Sequence, residues 1–576
     1  MTSEHFRLLL RRRLVSFSDR VLLRVMVSTK EDDVVELTGA DLIAKSVALV
    51  EEYCWAPPSS VVLLLLPHSA ELFLLHLGLV LTGRLPAILA WPTNRIDSGK
   101  YERNLVHQLR NLPAAQLLTL PKLAQNLDPG VPFTVTGCPI HQYEKFESLF
   151  SVKLHFAPVE KKSAPESGAP HGALFLQFSG GTTGDQKCVI VTAPMLANQL
   201  QRLGMTLQFD EQDGVVSWLP MYHDMGLIAC FWLPLWNGAP SMQFAAIDWL
   251  MHPDLLFEFL QKYQATFCWL PNFAFSYLAA QKARVNRQID LGHVRAFINC
   301  SEPVRQSSIE AFAEVFSFQG VRPDQCQASY AMAENVFAVT QTALGTEPAR
   351  FSRLAVHGGN GYAESTSYDL LDEHYVSSGN PLPDTSIRVR NTDGLFGDDV
   401  PGAIEIRGES LFCGYWGSHG FQAQSLTDDG WYPTGDYGFT HENNLFVIGR
   451  IKDIIIISGV NIFPEDIEAL VNKVKGIHPG RVVAFGVDDQ LRGTESLAVV
   501  AEMRGEFDSL AASALEHKIR HLITSVLGIA ARYVRVTPQR WIVKSTAGKI
   551  SRRETRLRFL HELPSCEVPN PVWSEA

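Results

Sequence analysis

Ser179-Gly-Gly-Thr-Thr-Gly-Asp-Gln-Lys-Cys188 follows directly on the apolar run Ala173-Leu-Phe-Leu-Gln-Phe178. The run reads as a buried strand, and the stretch after it as a glycine-rich turn leaving that strand. Glycine carries no Cβ and tolerates unusual dihedrals, so the backbone can approach a phosphate closely. Successive amide N–H groups then form an anion-binding nest, hydroxyls of Thr182 and Thr183 add donors, and Lys187 adds charge. The spacing matches neither the G-x-x-x-x-G-K-[ST] P-loop nor G-x-G-x-x-G. A Gly/Thr turn after a strand is often only a turn, so its meaning rests on what accompanies it.

Outward from this stretch, short apolar runs alternate with helical patterns. Strands are expected at Val61–Leu66, Leu85–Leu89, Val215–Leu219, Ala265–Leu270 and Val294–Asn299, with a helix near Ala70–Thr82. Such alternation implies a mainly parallel sheet covered by helices. From Thr340 to Tyr375 the chain is poor in apolar repeats and rich in Gly, Ser, Glu and Asp. Short β-like runs follow at Ser386–Arg390, Ala403–Arg407 and Leu445–Ile448. Near Gly449-Arg-Ile-Lys-Asp453 a boundary is expected, dividing the chain into residues 1–451 and 452–576. Beyond it come a strand at Ile454–Ile457, a helix opening at Pro464, strands at Val482–Val487 and Leu497–Glu502, and a helix from about Leu510. That suffices for a small α+β domain.

The bulk numbers narrow the class. With 576 residues, 46% hydrophobic and 19% charged, the composition is that of a globular multidomain protein. A net charge of -11 argues against general nucleic-acid binding. Nine cysteines without a C-x-x-C pair fit reduced thiols in a cytoplasmic setting better than disulfides or a zinc site. Val61 to Ala90 is apolar but broken by Pro67, His68, Glu71, His76 and Arg84, which fits a strand and core helix rather than a membrane span. From Lys518 to Arg558 the chain is dense in Arg and Lys, including Arg552 and Arg553. This is either a solvated helix face or a docking surface for an acidic partner.

Polar turns recur just past the expected strands, as an open α/β sheet presents them at a ligand crevice. They are Ser217-Trp-Leu-Pro-Met-Tyr-His-Asp-Met-Gly226, Asn299-Cys-Ser-Glu-Pro303, Tyr330-Ala-Met-Ala-Glu334 and Trp431-Tyr-Pro-Thr-Gly-Asp436. Arg450 follows, then Lys544-Ser-Thr-Ala-Gly-Lys549. His223 can meet a substrate carboxylate or serve as a turn histidine. Tyr330 can stack a base, Glu334 can hold Mg²⁺, and Asp436 can accept from two ribose hydroxyls. Phe507-Asp-Ser-Leu510 looks like a carrier-protein serine motif, but Asp508 or Ser509 is well placed as a helix N-cap.

In this order the turns resemble the adenylate-forming (acyl-activating) superfamily over nearly the whole chain, from the Val61 strand to Lys549. The closest likeness is to the fatty acyl-AMP ligases. It is carried by Ser217-Trp-Leu-Pro, His223-Asp-Met-Gly-Leu-Ile228, Asn299 with Glu302-Pro-Val304, and Val376-Ser-Ser-Gly379. The resemblance implies an α/β fold: a large N-terminal domain of several subdomains with mainly parallel sheets, and a small mobile α+β C-terminal domain. It implies activation of a fatty or other acyl carboxylate by ATP and Mg²⁺ to an acyl-adenylate, releasing pyrophosphate. Transfer to a separate acyl carrier protein follows, or, as the alternative, to free CoA; a binder without catalysis is the reading from another class. By similarity, Ser179, Gly181, Thr182, Thr183, Gly184 and Lys187 hold the β- and γ-phosphates. Asn299, Ser301, Glu302 and Tyr330 frame adenine, Glu334 ligates Mg²⁺, and Asp436 with Arg450 holds the ribose. His223 lies toward the acyl group, Lys549 meets charge developing at the α-phosphate, and Lys452 is the hinge. Trp269-Leu-Pro-Asn-Phe-Ala-Phe275 is a candidate acyl-tunnel wall or plain core. Departures from the family pattern are Gly180 for the usual Ser, Gln186 for Pro, Cys188 for Gly, Ala331 for Gly and Val543 for Pro. The long gap between Glu334 and Gly379 is similar to the acyl-AMP ligase insertion thought to restrain the small domain, whereas Ser458-Gly-Val-Asn-Ile-Phe-Pro464 is nearer to CoA-ligase usage.

Overall fold

The apolar runs form the centres of two large sheets. The computed structural model describes residues 1–28, 33–91, 101, 105, 108–109, 112, 114–121, 123–124, 134–138, 172–179, 187–285, 288–353, 374–391, 394, 396–417, 420–457, 460–489, 494–544 and 550–562. In the first sheet, Val21–Met26, Ser241–Gln243, Val215–Ser217, Phe267–Leu270, Ala296–Cys300 and Cys326–Ala331 run parallel in that spatial order, with antiparallel strands at both edges. In the second, Ala173–Phe178, Leu85–Ile88, Val61–Leu65, Gln116–Thr119 and Thr134–Gly137 run parallel. Cys188–Thr192 returns antiparallel beside Ala173–Phe178. Val61–Leu65 is buried at every position, as a strand covered on both faces must be. Ala70–Leu81 is capped by the Ser69 hydroxyl and is also apolar all round, because it lies within the main core.

A four-stranded antiparallel sheet, Thr385–Arg390, Gly402–Gly408, Tyr432–His441 and Asn444–Arg450, follows. The 3-10 turn Ile451–Asp453 ends it. From Ile455 onward the chain builds its own apolar cluster around Ile467, Val499, Ala501, Ile519 and Ile523. The supporting elements are the helices Pro464–Asn472 and Ser509–Leu527 and the strands Ile477–Asp489, Thr494–Met503 and Ala531–Thr537. Asp508 is the N-cap of the longer helix, accepting from the Leu510 and Ala511 amides, so the carrier-like motif is a cap. The Thr340–Tyr375 stretch contributes the strand Arg350–Ser352, paired with His374–Val376; residues 354–373 lie outside the described residues. Among the described residues no helix is long and apolar enough to cross a membrane, and the eight described cysteines are free thiols.

The structure corrects one expectation. Among the described residues of Lys518–Arg558, most guanidinium groups are met by carboxylates, so the stretch is not an open cationic face there. Arg532 pairs with Asp489, Arg535 with Glu562 at 2.9 Å, and Arg556 with Asp488 at 3.2 Å. Arg552 is the extreme case: its side chain is only 17% exposed and sits among Asp453, Glu465 and Glu468 at 2.8, 3.2 and 2.9 Å. Three carboxylates from the turn and the following helix converge there, and a buried charge needs such partners.

Burial, with the Glu468 and Asp453 charges adding to it, pushes Glu465 up to about 7 despite Arg552. A carboxyl raised above its unfolded value contributes stability below that value, which is lost as pH rises through the folded one. Glu465→Gln mimics the protonated form. It should melt with wild type near about pH 5 and a few degrees above it near about pH 8. A melting difference independent of pH would show that Glu465 does not carry this titration.

Candidate functional site

Carboxyl ends of parallel strands of the first sheet bring the Ser217, Asn299 and Tyr330 stretches to one side, whereas Tyr432–Asp436, expected as a turn, begins a strand of the antiparallel sheet. After Val215–Ser217 the chain turns on Ser217 Oγ, which accepts the Leu219 N–H at 3.0 Å, and on the Pro220 carbonyl, which accepts the His223 N–H at 3.1 Å. Asp224 then caps Met225 at 2.8 Å and starts the π-helix Met225–Trp232, every residue of which is buried. Gly226 is required there, since a Cβ would stand 2.3 Å from the Pro220 carbonyl oxygen. Local π-helical windings are frequent at functional sites.

Tyr330 lies one residue before the end of Cys326–Ala331, three strands along the same sheet, and Glu334 lies in the 3-10 turn Ala333–Asn335. The turn closes through Val336 at φ 63°, ψ -50°, a strained conformation for a β-branched residue. It is held by Asn335 Nδ2 on the Ala338 carbonyl at 2.8 Å and by the Phe412 N–H on the Glu334 carbonyl at 2.7 Å. Tyr330 donates its hydroxyl to Asp436 Oδ2 at 2.5 Å, and Arg450 Nε meets Asp436 Oδ1 at 3.3 Å. Asp436 and Arg450 face each other across the Tyr432–His441 and Asn444–Arg450 ladder, so register alone places them together. The Tyr415 hydroxyl donates to Glu334 Oε1 at 3.0 Å and lies 3.2 Å from that of Tyr432. Lys187 Nζ sits over the Tyr415 ring, 4.7 Å from its centroid. Ser179 and Lys187 close the hairpin base, Ser179 N–H on the Lys187 carbonyl at 2.8 Å and Lys187 N–H on Ser179 Oγ at 3.3 Å.

The electrostatics make these groups one neighbourhood. Burial pushes the Glu334 carboxyl above the usual range, the Asp224 charge adds to it, and Tyr415 and Arg450 offset only part. Burial likewise raises Asp436 against the pull of Arg450 and Tyr330. Lys452 is lowered by burial and then by Arg450, with Lys187 acting in the same sense. Glu334 and Asp436 are thus both held above the usual carboxylate range by burial, with Arg450 acting against the shift at each.

The remaining predicted residues have other partners. Asn299 is fully buried and donates to Asn272 Oδ1 at 2.9 Å. Ser301 has φ 70° and sets its hydroxyl toward Met225 Sδ at 3.9 Å. Glu302 accepts the Phe273 N–H at 2.9 Å, fastening the start of the helix Asn272–Ala280. Of the candidate tunnel wall, Trp269, Leu270 and Phe275 are fully buried core, and Phe273 is the exposed member. Gly181, Thr182, Thr183, Gly184 and Lys549 lie outside the described residues. The sequence reading missed Tyr415, Tyr432 as a site residue, and the influence of Asp224 on Glu334. Tyr415 lies on the strand Gly414–Gly417 beside the hairpin strand, and nothing in its local pattern marks it out.

Comparison with known proteins gives concordant matches. The family model for AMP-binding enzymes matches residues 56–416, and that for the AMP-binding enzyme C-terminal domain matches residues 459–553. The chain is 30% identical over 413 residues to a Mycobacterium tuberculosis protein named "Probable long-chain-fatty-acid--AMP ligase FadD30", covering 66% of this chain and 68% of that one. It is 27% identical over 545 residues to the long-chain-fatty-acid–AMP ligase FadD26 of Mycobacterium marinum, covering 90% of each. A solved structure described under fatty acyl-adenylate ligases from E. coli and L. pneumophila superposes with a TM-score of 0.77 at 24% identity, covering 96% of this chain and 97% of that one. This likeness establishes the fold.

Hydrogen bonds to a charged acceptor are worth about 1.5–3 kcal/mol. Tyr330→Phe should therefore lower the melting temperature by a few degrees, and by much less in an Asp436→Asn background. Equal losses in both backgrounds would mean that the two side chains are not coupled.

Proposed function

The chain belongs to the AMP-binding enzyme family, and we propose that within it the chain is a ligase joining ATP to a fatty or related carboxylate. The products are an acyl-adenylate and pyrophosphate. The observation that carries this reading is the linkage of Tyr330, Asp436 and Arg450 on one side, and of Lys187, Tyr415 and Glu334 on the other, in a single half-buried neighbourhood with Lys187 and Arg450 at its exposed rim. Asp436 with Arg450 would take the ribose hydroxyls, Tyr330 and the Asn299-to-Pro303 turn the adenine. Ser179, Gly181, Thr182, Thr183, Gly184 and Lys187 would take the β- and γ-phosphates. His223, opening the turn ahead of the buried π-helix, would meet the acyl carboxylate.

Glu334 fits Mg²⁺, because a buried carboxyl beside Asp224 carries an excess of negative potential that a cation relieves. Among the described residues no group of three or more His, Cys, Asp and Glu forms a complete metal site, so Glu334 would share the ion with phosphate oxygens. Bound there, the ion would neutralise charge on the transferring phosphates. Negative charge gathers on the α-phosphate as the carboxylate attacks, which calls for a cation placed in advance; Lys549 is assigned that role. The division into residues 1–451 and 452–576, with Lys452 as hinge, would let the small domain bring and withdraw that lysine. Free thiols suit a cytoplasmic setting.

For the acceptor we favour a separate phosphopantetheine carrier protein over CoA. Arg353, at the start of the 354–373 segment, forms an ion pair with Asp466 of the small domain and lies 4.1 Å from the Tyr375 ring centroid. Phe463 packs in the same cluster as Tyr375, Phe439, Phe446 and Ile448. Such contacts tether the small domain, as a ligase that retains its adenylate would require.

The test is ATP–pyrophosphate exchange with a panel of carboxylates, and mass spectrometry of products formed with carrier protein or CoA. Lys549→Ala should cost roughly a hundredfold in exchange; Asp436→Ala should weaken ATP binding and shrink discrimination against 2′-deoxy-ATP. No exchange with any acid would sink the catalytic reading. Efficient acyl-CoA formation by the unaltered protein would instead make CoA the acceptor, and Arg353→Ala is expected to move the product ratio in that direction.

A further inference from the structure

The described residues that flank 545–549 are connected to the hinge turn Ile451–Asp453. Residues 545–549 are bracketed by an antiparallel bridge between Lys544 and Ile550. The returning arm is fixed by the Ser551 N–H on the Val543 carbonyl at 2.8 Å, and by the Thr555 hydroxyl, which accepts the Val543 N–H at 3.2 Å and donates to the Ser551 carbonyl at 2.8 Å. Ser551 and Thr555 are buried. Arg552, first residue of the helix Arg552–Glu562, then reaches across the small domain. Its Nε donates to the Ala484 carbonyl at 2.9 Å, Nη1 to Asp453 at 2.8 Å, and Nη2 to Glu465 and Glu468 at 3.2 and 2.9 Å. Glu468 in turn accepts the Ala484 N–H at 3.0 Å, closing a ring of interactions around Arg552. Asp453 is the residue immediately after Lys452 in the 3-10 turn Ile451–Asp453.

Of these contacts, only the one to Asp453 reaches the hinge turn; the others stay within the small domain's own elements. We propose that Arg552 is a positioning residue: through Asp453 it fastens the Lys544–Ile550 bridge, which flanks Lys549 in sequence, to the hinge, so that both turn as one body. The inference rests on the roles assigned above to Lys549 and Lys452. A planar guanidinium suits the task because its fixed fork reaches three carboxylates and a carbonyl at once. A lysine ammonium is a single point with three donors and cannot span them. Glu465 also connects the cluster to the large domain: Arg305 Nη2 donates to its carbonyl at 3.2 Å, and Gly449 leaves room for its carboxylate, which would stand 3.0 Å from a Cβ there.

The experiment compares Arg552→Lys, Asp453→Asn, their combination, and Glu468→Gln in the full chain. Misplacing a reacting group by a fraction of its reach costs about tenfold or more in turnover. Arg552→Lys and Asp453→Asn should each lower kcat of ATP–pyrophosphate exchange by about that factor while ATP KM stays within about threefold, and the double variant should be no slower than the worse single one. Glu468→Gln, which loosens the same cluster without touching the hinge contact, should lower the melting temperature and spare kcat. Wild-type kcat in Asp453→Asn, multiplying losses in the double variant, or an equal kcat loss in Glu468→Gln would each overturn the proposal. Hydrogen–deuterium exchange provides a second arm that needs no activity. In Arg552→Lys, amides of Ile455–Ile457 and Arg552–Glu562 should exchange faster together; unchanged exchange on the hinge side overturns the fastening. A wild-type protein inactive with every acid would remove the adenylation reading instead, leaving the exchange arm to decide the linkage.

Discussion

Two buried carboxyls, Glu334 and Asp436, set the terms for the rest of the molecule. A carboxylate taken out of water is costly unless it is paired or hydrogen-bonded. Asp436 has a phenol and a guanidinium for partners, whereas Glu334 has a phenol and the repulsion of Asp224. Holding both groups close requires three separate sheets to meet. Tyr330 and Glu334 come from the end of the first sheet, Lys187 and Tyr415 from the hairpin side of the second, and Asp436 with Arg450 from the four-stranded sheet. The strained Val336 turn is an expense of that meeting. Carboxyls and cations meet there in one neighbourhood, with Arg450 on Asp436 and Lys187 over the Tyr415 ring.

The architecture was largely legible because its strands are apolar on both faces. Ala173–Phe178 was read with its observed limits, and Val61–Leu66, Leu85–Leu89 and Val294–Asn299 came within two residues of theirs. A run of large aliphatic residues with no polar face has few alternatives in an α/β chain. Asp436 and Arg450 were singled out individually, Asp436 at the end of Trp431–Asp436 and Arg450 in Gly449–Asp453, but their pairing is a property of ladder register. Tyr415 was not legible. Its role comes from a strand pairing between residues 415 and 189, and no local pattern encodes a partner that distant. Arg552 was misread for the same reason. Along the chain it is one of several basic residues, and only in the fold do Asp453, Glu465 and Glu468 surround it.

Glu302 illustrates a different limit. Its place in Asn299-Cys-Ser-Glu-Pro303 suggests contact with a bound base, yet its carboxylate is engaged by the Phe273 amide. That engagement is compatible with framing a ligand at one remove. Holding the first turn of Asn272–Ala280 fixes Asn272, and Asn272 Oδ1 receives both the Asn299 amide and the Arg305 N–H. The turn is therefore a small network in which Glu302 and Asn272 support the residues nearer the crevice. Sequence motifs mark such networks as a block without separating the member that touches from the member that braces.

The departures from the family pattern can be weighed in the same physical terms. Cys188 is buried and pairs with Phe178 across the hairpin, packed in the main core, so the lost glycine lies in the strand rather than against a ligand. Burial pushes its thiol up, which makes it an inert filler and not a nucleophile. Ala331 packs partly buried against the same core. Val543 replaces a residue that has no N–H, and its amide is used, donating to the Thr555 hydroxyl beside the lysine-bearing hairpin. A proline there would lose that hydrogen bond but fix φ; valine keeps the bond and leaves φ to be fixed by the Ser551 and Thr555 contacts. The Lys544–Ile550 bridge thus depends on side-chain contacts where the family pattern relies on a ring. The base of the 545–549 segment is then held by the Ser551 and Thr555 contacts and by the cluster of Asp453, Glu465 and Glu468 around Arg552.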